Sequence, residues 1–161
     1  MIELMAVDPG GTTGIFTISG NGLHSWVAFP DRHEAEFWMS RELARTGKDR
    51  RHIVVCESWI GRGGPMTAQY DAQHIIGWLD GHVALYKQAR LFMQSPGDRM
   101  WTTPAKMKAI SGSPTLHVKN EHALQAARHA IRWIIFHPEI VGAEFAGIQK
   151  ALRSFLSADS E

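Results

Sequence analysis

The sequence predicts one α/β domain, built on a mixed five-stranded sheet with helices on both faces. Residues 2–29 contain three short apolar runs separated by glycine and proline turns, which is typical of antiparallel strands. Two later apolar runs, at residues 52–58 and 89–94, each follow a predicted helix, which is typical of parallel strands. A length of 161 residues with 44% hydrophobic content suits a single core of this kind.

The N-terminal part of the chain predicts three strands joined by turns. Residues 2–8 are apolar with some alternation, and Pro9 with two glycines closes them; residues 13–18 form the second strand. The segment Gly20 to Gly22 is typical of a tight hairpin turn, after which residues 23–29 form the third strand.

The rest of the chain alternates helices with strands. Asp31 is the predicted N-cap of a helix that runs to about Arg45. The continuous apolar centre of residues 52–58 favours a buried strand near the middle of the sheet. A helix is predicted at 67–88, followed by the last strand at 89–94. Three more helices are predicted: a short one from Thr103, one from Lys119 or Asn120 to Pro138, and one at 139–156.

Charge and composition limit the classes of function. Lys and Arg total 17 while Asp and Glu total 16, so any contact with nucleic acid must come from a local basic patch. The single cysteine, Cys56, excludes a disulfide framework within the chain. The N-terminus lacks the features of a signal peptide, and no apolar run reaches the roughly 20 residues that span a bilayer. We therefore expect a soluble, intracellular protein.

Two carboxylates stand at the ends of predicted strands. Asp8 ends the first strand and Glu57 follows the apolar run 53–56, so both are expected in the crevice above the sheet, where open α/β folds bind ligands. A carboxylate among apolar residues is costly unless it is paired, hydrogen-bonded or bound to a cation. The alternatives are an Asp8 that only caps a turn and a Glu57 on an exposed edge strand.

A third feature is the start of the late helix. Glu121 and Gln125 share a helix face at i, i+4 spacing, and His122 and Gln125 are three residues apart. A helix start is a favourable place for groups that handle phosphate. The alternative is the ordinary solvated face of an amphipathic helix.

Together these features resemble the RuvC-like Holliday junction resolvases, and in particular the short resolvase-like nucleases of bacteriophages. The resemblance is carried by Asp8-Pro9-Gly10, by Glu57 after an apolar strand, and by the late pattern His-Ala-x-x-Ala-Ala-Arg-His-Ala, and it covers about residues 2–136. It implies a ribonuclease-H-like nuclease domain over residues 1–136, with a C-terminal helix over 137–161 packed on that domain. It also implies a cytoplasmic location, in an infected bacterial host if the protein is phage-encoded.

The resemblance further implies two-metal hydrolysis of DNA, with Mg²⁺ or Mn²⁺ held by four acidic or histidine side chains. Asp8 matches the first position and Glu57 the second. His122 matches the third position, either as a ligand or as a proton carrier. The fourth position is usually Asp and is Gln125 here, a neutral side chain that binds Mg²⁺ poorly. Either Glu121 supplies the missing charge from one turn earlier, or the site is weakened.

Partners follow from the same resemblance. Arg62, in a glycine-rich loop, is a predicted phosphate contact. A second basic set consists of Arg99, Lys106, Lys108 and Lys119. Family members are homodimers, which suits the two symmetric strands of a four-way junction. The apolar face of the helix at 67–88 is the candidate dimer surface, unless that helix is wholly occupied by its own core.

The leading hypothesis is therefore a metal-dependent, structure-specific endonuclease that cuts phosphodiesters in branched DNA, namely Holliday junctions, forks or flaps. The alternative is a catalytically weakened module of the same fold that binds branched DNA without cutting it, as Gln125 suggests. A third hypothesis is an ATP-handling protein of the actin and sugar-kinase type. Such proteins share an Asp-x-Gly-Gly-Thr loop but need a second domain, for which this chain lacks the length.

Overall fold

A single mixed sheet organises the protein, which we describe from a computed structural model for residues 1–45, 50–58, 66–97, 102, 120–150 and 153. The strand order is β3-β2-β1-β4-β5, with β1 at Ile2–Asp8, β2 at Thr13–Ser19, β3 at His24–Phe29, β4 at Arg51–Glu57 and β5 at Ala89–Gln94. β2 is antiparallel to β1 and β3, whereas β4 is parallel to β1 and β5. The predicted fold class is confirmed.

Helices lie on both faces of this sheet. In the described part of the chain they are α1 (Arg32–Ala44), α2 (Met66–Val83), α3 (Glu121–Phe136) and α4 (Pro138–Val141), followed by a 3₁₀ turn at Ala143–Phe145 and helical residues 146–150. Because successive side chains of a strand point to opposite faces, β1 divides the core in two. Met5 and Val7 pack toward α1 and α2, while Leu4 and Ala6 pack toward α3.

Side-chain caps start two of these helices where the sequence predicts them. Asp31 accepts hydrogen bonds from the backbone N–H groups of His33 and Glu34 at the start of α1. Asn120 does the same for His122 and Ala123 at the start of α3. Each cap satisfies two backbone donors that have no partner inside the helix, so both helix starts are well defined.

Helix α3 covers one face of the sheet with small side chains. The predicted apolar face is buried as expected and consists of Ala123, Ala126, Ala127, Ala130, Ile131 and Ile134. Because alanine side chains are small, α3 can lie close to the strands. Val141 and Phe145 join the same apolar cluster, so the segment after Pro138 packs on this core.

Two predicted helix boundaries are wrong. The second helix ends at Val83 rather than 88, because the chain turns back over residues 84–88 so that Ala89 can pair with His52 of β4. The predicted helix at 139–156 is interrupted at Gly142, whose φ of 63° favours glycine and separates α4 from the 3₁₀ turn. The short helix predicted from Thr103 lies outside the described residues.

The apolar stripe of α2 is used mainly inside the molecule. Ile75, Leu79 and Val83 are buried in the core between α2, α1 and the sheet, and Ile76 and Trp78 pack against it while partly buried. This arrangement agrees with the alternative in which the helix serves its own core. Any pairing of two copies through α2 would therefore use the residues at the margin of that stripe.

Candidate active site

Three polar side chains end three neighbouring parallel strands on the face covered by α3. Asp8 ends β1, Glu57 ends β4 and Gln94 ends β5, and the strand register places them side by side. Their alternation with the core residues Ala6 and Val55 directs them toward α3. All three are buried, with 5–7% of each residue exposed. The carboxyl edge of the sheet thus carries a row of buried polar groups.

Helix α3 places two histidines over this row. His122 Nδ1 lies 3.1 Å from Asp8 Oδ2. His129 Nε2 lies 2.7 Å from Glu57 Oε2, and its Nδ1 lies 2.6 Å from Gln94 Oε1. The histidines are seven positions apart, which corresponds to about two helical turns and roughly 10 Å. The row from Asp8 to Gln94 crosses two strand spacings, which is also roughly 10 Å. The spacing of the two histidines along the helix therefore lets them reach different members of that row.

Gly14 allows the helix to come this close. It pairs with Asp8 across β1 and β2, and a Cβ at this position would overlap the backbone carbonyl of His122 and the backbone nitrogen of Ala123. By contrast, a Cβ at Gly10 would meet only the carbonyl oxygen of Thr12 at an ordinary 3.4 Å. Gly14 in β2 is therefore the position where only glycine leaves room for α3, and its role is to seat the helix beside Asp8.

Burial and charge differ across the site. The side chain of His122 is 45% exposed, whereas that of Asp8 is 9% exposed, so solvent reaches the pair from the histidine side. His129 is completely buried. Burial raises the pKa of the Cys56 thiol well above its usual range, and the nearby charges of Asp8 and Glu57 add to that rise. Cys56 is therefore held as a neutral thiol and offers no thiolate for chemistry.

The side chain at the expected fourth ligand position is engaged elsewhere. Gln125 Oε1 accepts a hydrogen bond of 2.8 Å from Arg128 Nη1. The buried guanidinium of Arg128 also donates through Nε to the carbonyl of Thr102, whose hydroxyl donates back to the Arg128 carbonyl at 3.1 Å. Arg128 thus ties α3 to Thr102 and holds the Gln125 amide.

The predicted site residues are only partly brought together. Asp8, Glu57 and His122 lie at the edge of the sheet beneath and beside α3, while Glu121 is exposed at the first residue of the helix. The hydrogen bonds described for Asp8 and Glu57 go to His122 and His129. The predicted DNA contacts Arg62, Lys106, Lys108 and Lys119 lie outside the described residues.

Sequence reasoning missed His129, Gln94 and Arg128 as members of this network. A signal existed for His129, since it follows His122 by seven positions and interrupts an alanine-rich apolar face. Gln94 also ends a predicted strand, as Asp8 and Glu57 do. Its neutral side chain offered no electrostatic reason to select it.

The donor chemistry fits a hard divalent cation. Two carboxylates and an imidazole are the oxygen and nitrogen ligands that Mg²⁺ and Mn²⁺ accept in proteins. In the part of the chain that the structure describes, no three acidic, histidine or cysteine side chains already converge on one point as a metal-binding set. In the same part of the chain, no helix is both long enough and apolar enough to cross a membrane.

Comparisons with known proteins identify the fold. No family model and no curated protein sequence matches the chain. The structure is similar to T. thermophilus RuvC in complex with a Holliday junction substrate, with a TM-score of 0.58 and 14% identity, covering 87% of this chain and 96% of that one. A second Thermus thermophilus RuvC structure matches with a TM-score of 0.51 and 12% identity, covering 86% and 96%. The sheet and its helices therefore adopt the ribonuclease-H-like fold of RuvC.

Proposed function

We propose that this RuvC-like fold serves a divalent-metal-dependent endonuclease that cuts branched DNA, with Asp8 and Glu57 as its central carboxylates. The observation that carries the proposal is this pair of buried acidic side chains at the ends of neighbouring strands, on the face covered by α3. The solved RuvC complex contains a Holliday junction, and we extend that substrate class to this chain. Forks and flaps share its branched geometry.

Asp8 and Glu57 would hold Mg²⁺ or Mn²⁺, in a two-metal arrangement. Burying two carboxylates close together is unfavourable unless positive charge or hydrogen bonds compensate. A divalent ion bound there supplies Lewis-acid stabilisation of a phosphodiester and activation of water. His122, half-exposed and hydrogen-bonded to Asp8, is placed either to join the ligands or to carry a proton near the attacking water.

Glu121 and Gln125 are assigned supporting roles. Glu121 would add negative charge at the exposed start of α3, one turn before Gln125. Gln125 would stay bound to Arg128, so that the guanidinium lies near the position at which relatives carry a carboxylate.

The remaining assignments complete this proposal. Arg62, Lys106, Lys108 and Lys119 would contact DNA phosphates, and a homodimer would address the two symmetric strands of a four-way junction. The nuclease domain would span residues 1–136, with 137–161 as its C-terminal addition. A relationship to the short bacteriophage nucleases, acting in the cytoplasm of an infected bacterium, belongs to the same hypothesis.

The test is cleavage of a synthetic four-way junction in Mg²⁺ or Mn²⁺ by the wild type and by Asp8→Asn. We expect the variant to retain junction binding and to lose cleavage to background. Asp80→Asn is the matched control, because Asp80 is an exposed carboxylate on α2 and its loss should leave cleavage unchanged. Undiminished cleavage by Asp8→Asn would refute the assignment.

A non-cutting module that binds branched DNA is the second candidate. It is favoured by Gln125, a neutral side chain at the fourth position that is already bound to Arg128. Under this alternative the wild type binds the junction, while no divalent metal supports cleavage. Cleavage in Mn²⁺ by the wild type would exclude it.

A further inference from the structure

His129 differs from His122 in its burial and in its contacts. None of its surface is exposed, and each ring nitrogen lies within 2.7 Å of a side-chain oxygen. Both nitrogens are therefore used inside the protein, whereas a histidine that ligates a metal must offer a nitrogen to the ion. His129 is consequently placed to act on Glu57 and not on the ion itself.

We propose that His129, oriented by Gln94, is a positioning residue that fixes the Glu57 carboxylate for binding of a divalent cation. This inference rests on the proposed metal site. Its physical basis is a chain of contacts that runs from the end of β5 through α3 to the end of β4. In that chain Gln94 Oε1 lies 2.6 Å from Nδ1 and so sets the ring orientation, and Nε2 lies 2.7 Å from Glu57 Oε2.

Packing alone gives no reason for an imidazole at this position. The neighbouring core positions of α3 are Ala126 and Ala130, and an apolar residue at 129 would avoid the cost of burying two polar nitrogens. The glutamate side chain has several rotatable bonds, and a hydrogen bond from a buried partner limits them before the metal arrives. Partners of this kind typically change metal affinity by about 10–100-fold when they are removed.

Two substitutions at this position separate the contacts. The terminal amide of glutamine lies about as far from the backbone as Nε2, so His129→Gln retains a partner for Glu57. The amide of asparagine lies about where Nδ1 does, so His129→Asn retains the contact with Gln94 and loses the one with Glu57. Both variants remove the ring and bury an amide, which makes each the control for the other.

The experiment is calorimetric titration of the full chain with Mn²⁺ in the absence of DNA, with folding checked by circular dichroism. We expect His129→Asn to bind Mn²⁺ about 10–100-fold more weakly than the wild type and His129→Gln to bind close to the wild type. Wild-type affinity in both variants, or equal weakening in both, would overturn the proposal. A histidine that only fills the core would lower the melting temperature without this difference.

Further variants keep the outcome decisive. If His129→Asn does not fold, Gln94→Met is the deciding variant, since it removes the polar partner of Nδ1 at nearly constant volume. Weaker Mn²⁺ binding by Gln94→Met supports the proposal, and unchanged binding overturns it. Asp8→Asn separates this inference from the proposed function. If Asp8→Asn loses Mn²⁺ binding while His129→Asn binds normally, only the positioning role of His129 is overturned. If the wild type binds no Mn²⁺, the metal site itself is overturned.

Discussion

The contact between Gly14 and the first turn of α3 gives a direct test of how the site is assembled. Gly14→Ala would place a Cβ against backbone atoms of His122 and Ala123, which cannot move aside by rotating a side chain. Non-bonded carbon atoms pack about 3.5–4.0 Å apart, so α3 would have to shift by on the order of 1 Å. A shift of that size is enough to break the 3.1 Å contact between His122 and Asp8.

The expected cost of Gly14→Ala is large for a single methyl group. Overpacking in a dense core typically costs about 1–3 kcal/mol, and the upper end applies because the obstacle is backbone. For a chain of this length, about 3 kcal/mol lowers the melting temperature by roughly 6–12 °C. Thermal unfolding followed by circular dichroism measures this change.

Gly10→Ala is the matched control, because it adds the same methyl group four residues earlier, in the turn between β1 and β2. Its Cβ would meet only the Thr12 carbonyl at 3.4 Å, an ordinary contact, and we expect a melting temperature close to that of the wild type. If Gly14→Ala and Gly10→Ala have the same melting temperature, α3 does not pack against Gly14 and the described position of the helix is incorrect.

Two further predictions concern a helix cap and a buried histidine. Asn120→Ala should lower the free energy of unfolding in urea by about 1 kcal/mol, since the backbone N–H groups of His122 and Ala123 lose their acceptor. Asn120→Asp keeps that acceptor and should be as stable as the wild type. A destabilised Asn120→Asp would contradict the capping role. Burial lowers the pKa of His52, so the unfolded chain binds a proton more readily and stability is lost as pH falls below about 6.5. His52→Leu should lose less stability than the wild type between pH 7.5 and 5.5, and equal losses would contradict this reasoning.

Much of the fold followed from local patterns. The five strands were predictable because apolar runs bounded by glycine and proline are short-range signals, and the order of hairpins and helix-linked strands implied the mixed sheet. The end of α2 at Val83 was not predictable, because the position of that end depends on the pairing of Ala89 with His52 in a neighbouring strand. The break at Gly142 depends on how the last segment returns to the core.

The positions of Asp8 and Glu57 at strand ends can be read from the sequence, because each directly follows an apolar run with strand character. The partners of these carboxylates depend on how the chain folds. Asp8 meets His122 across a separation of 114 residues, and Glu57 meets His129 across 72. Those contacts require a particular strand register, a helix with histidines two turns apart, and a glycine at position 14 that admits the helix. Such conditions couple distant parts of the chain through packing, so no local pattern carries them.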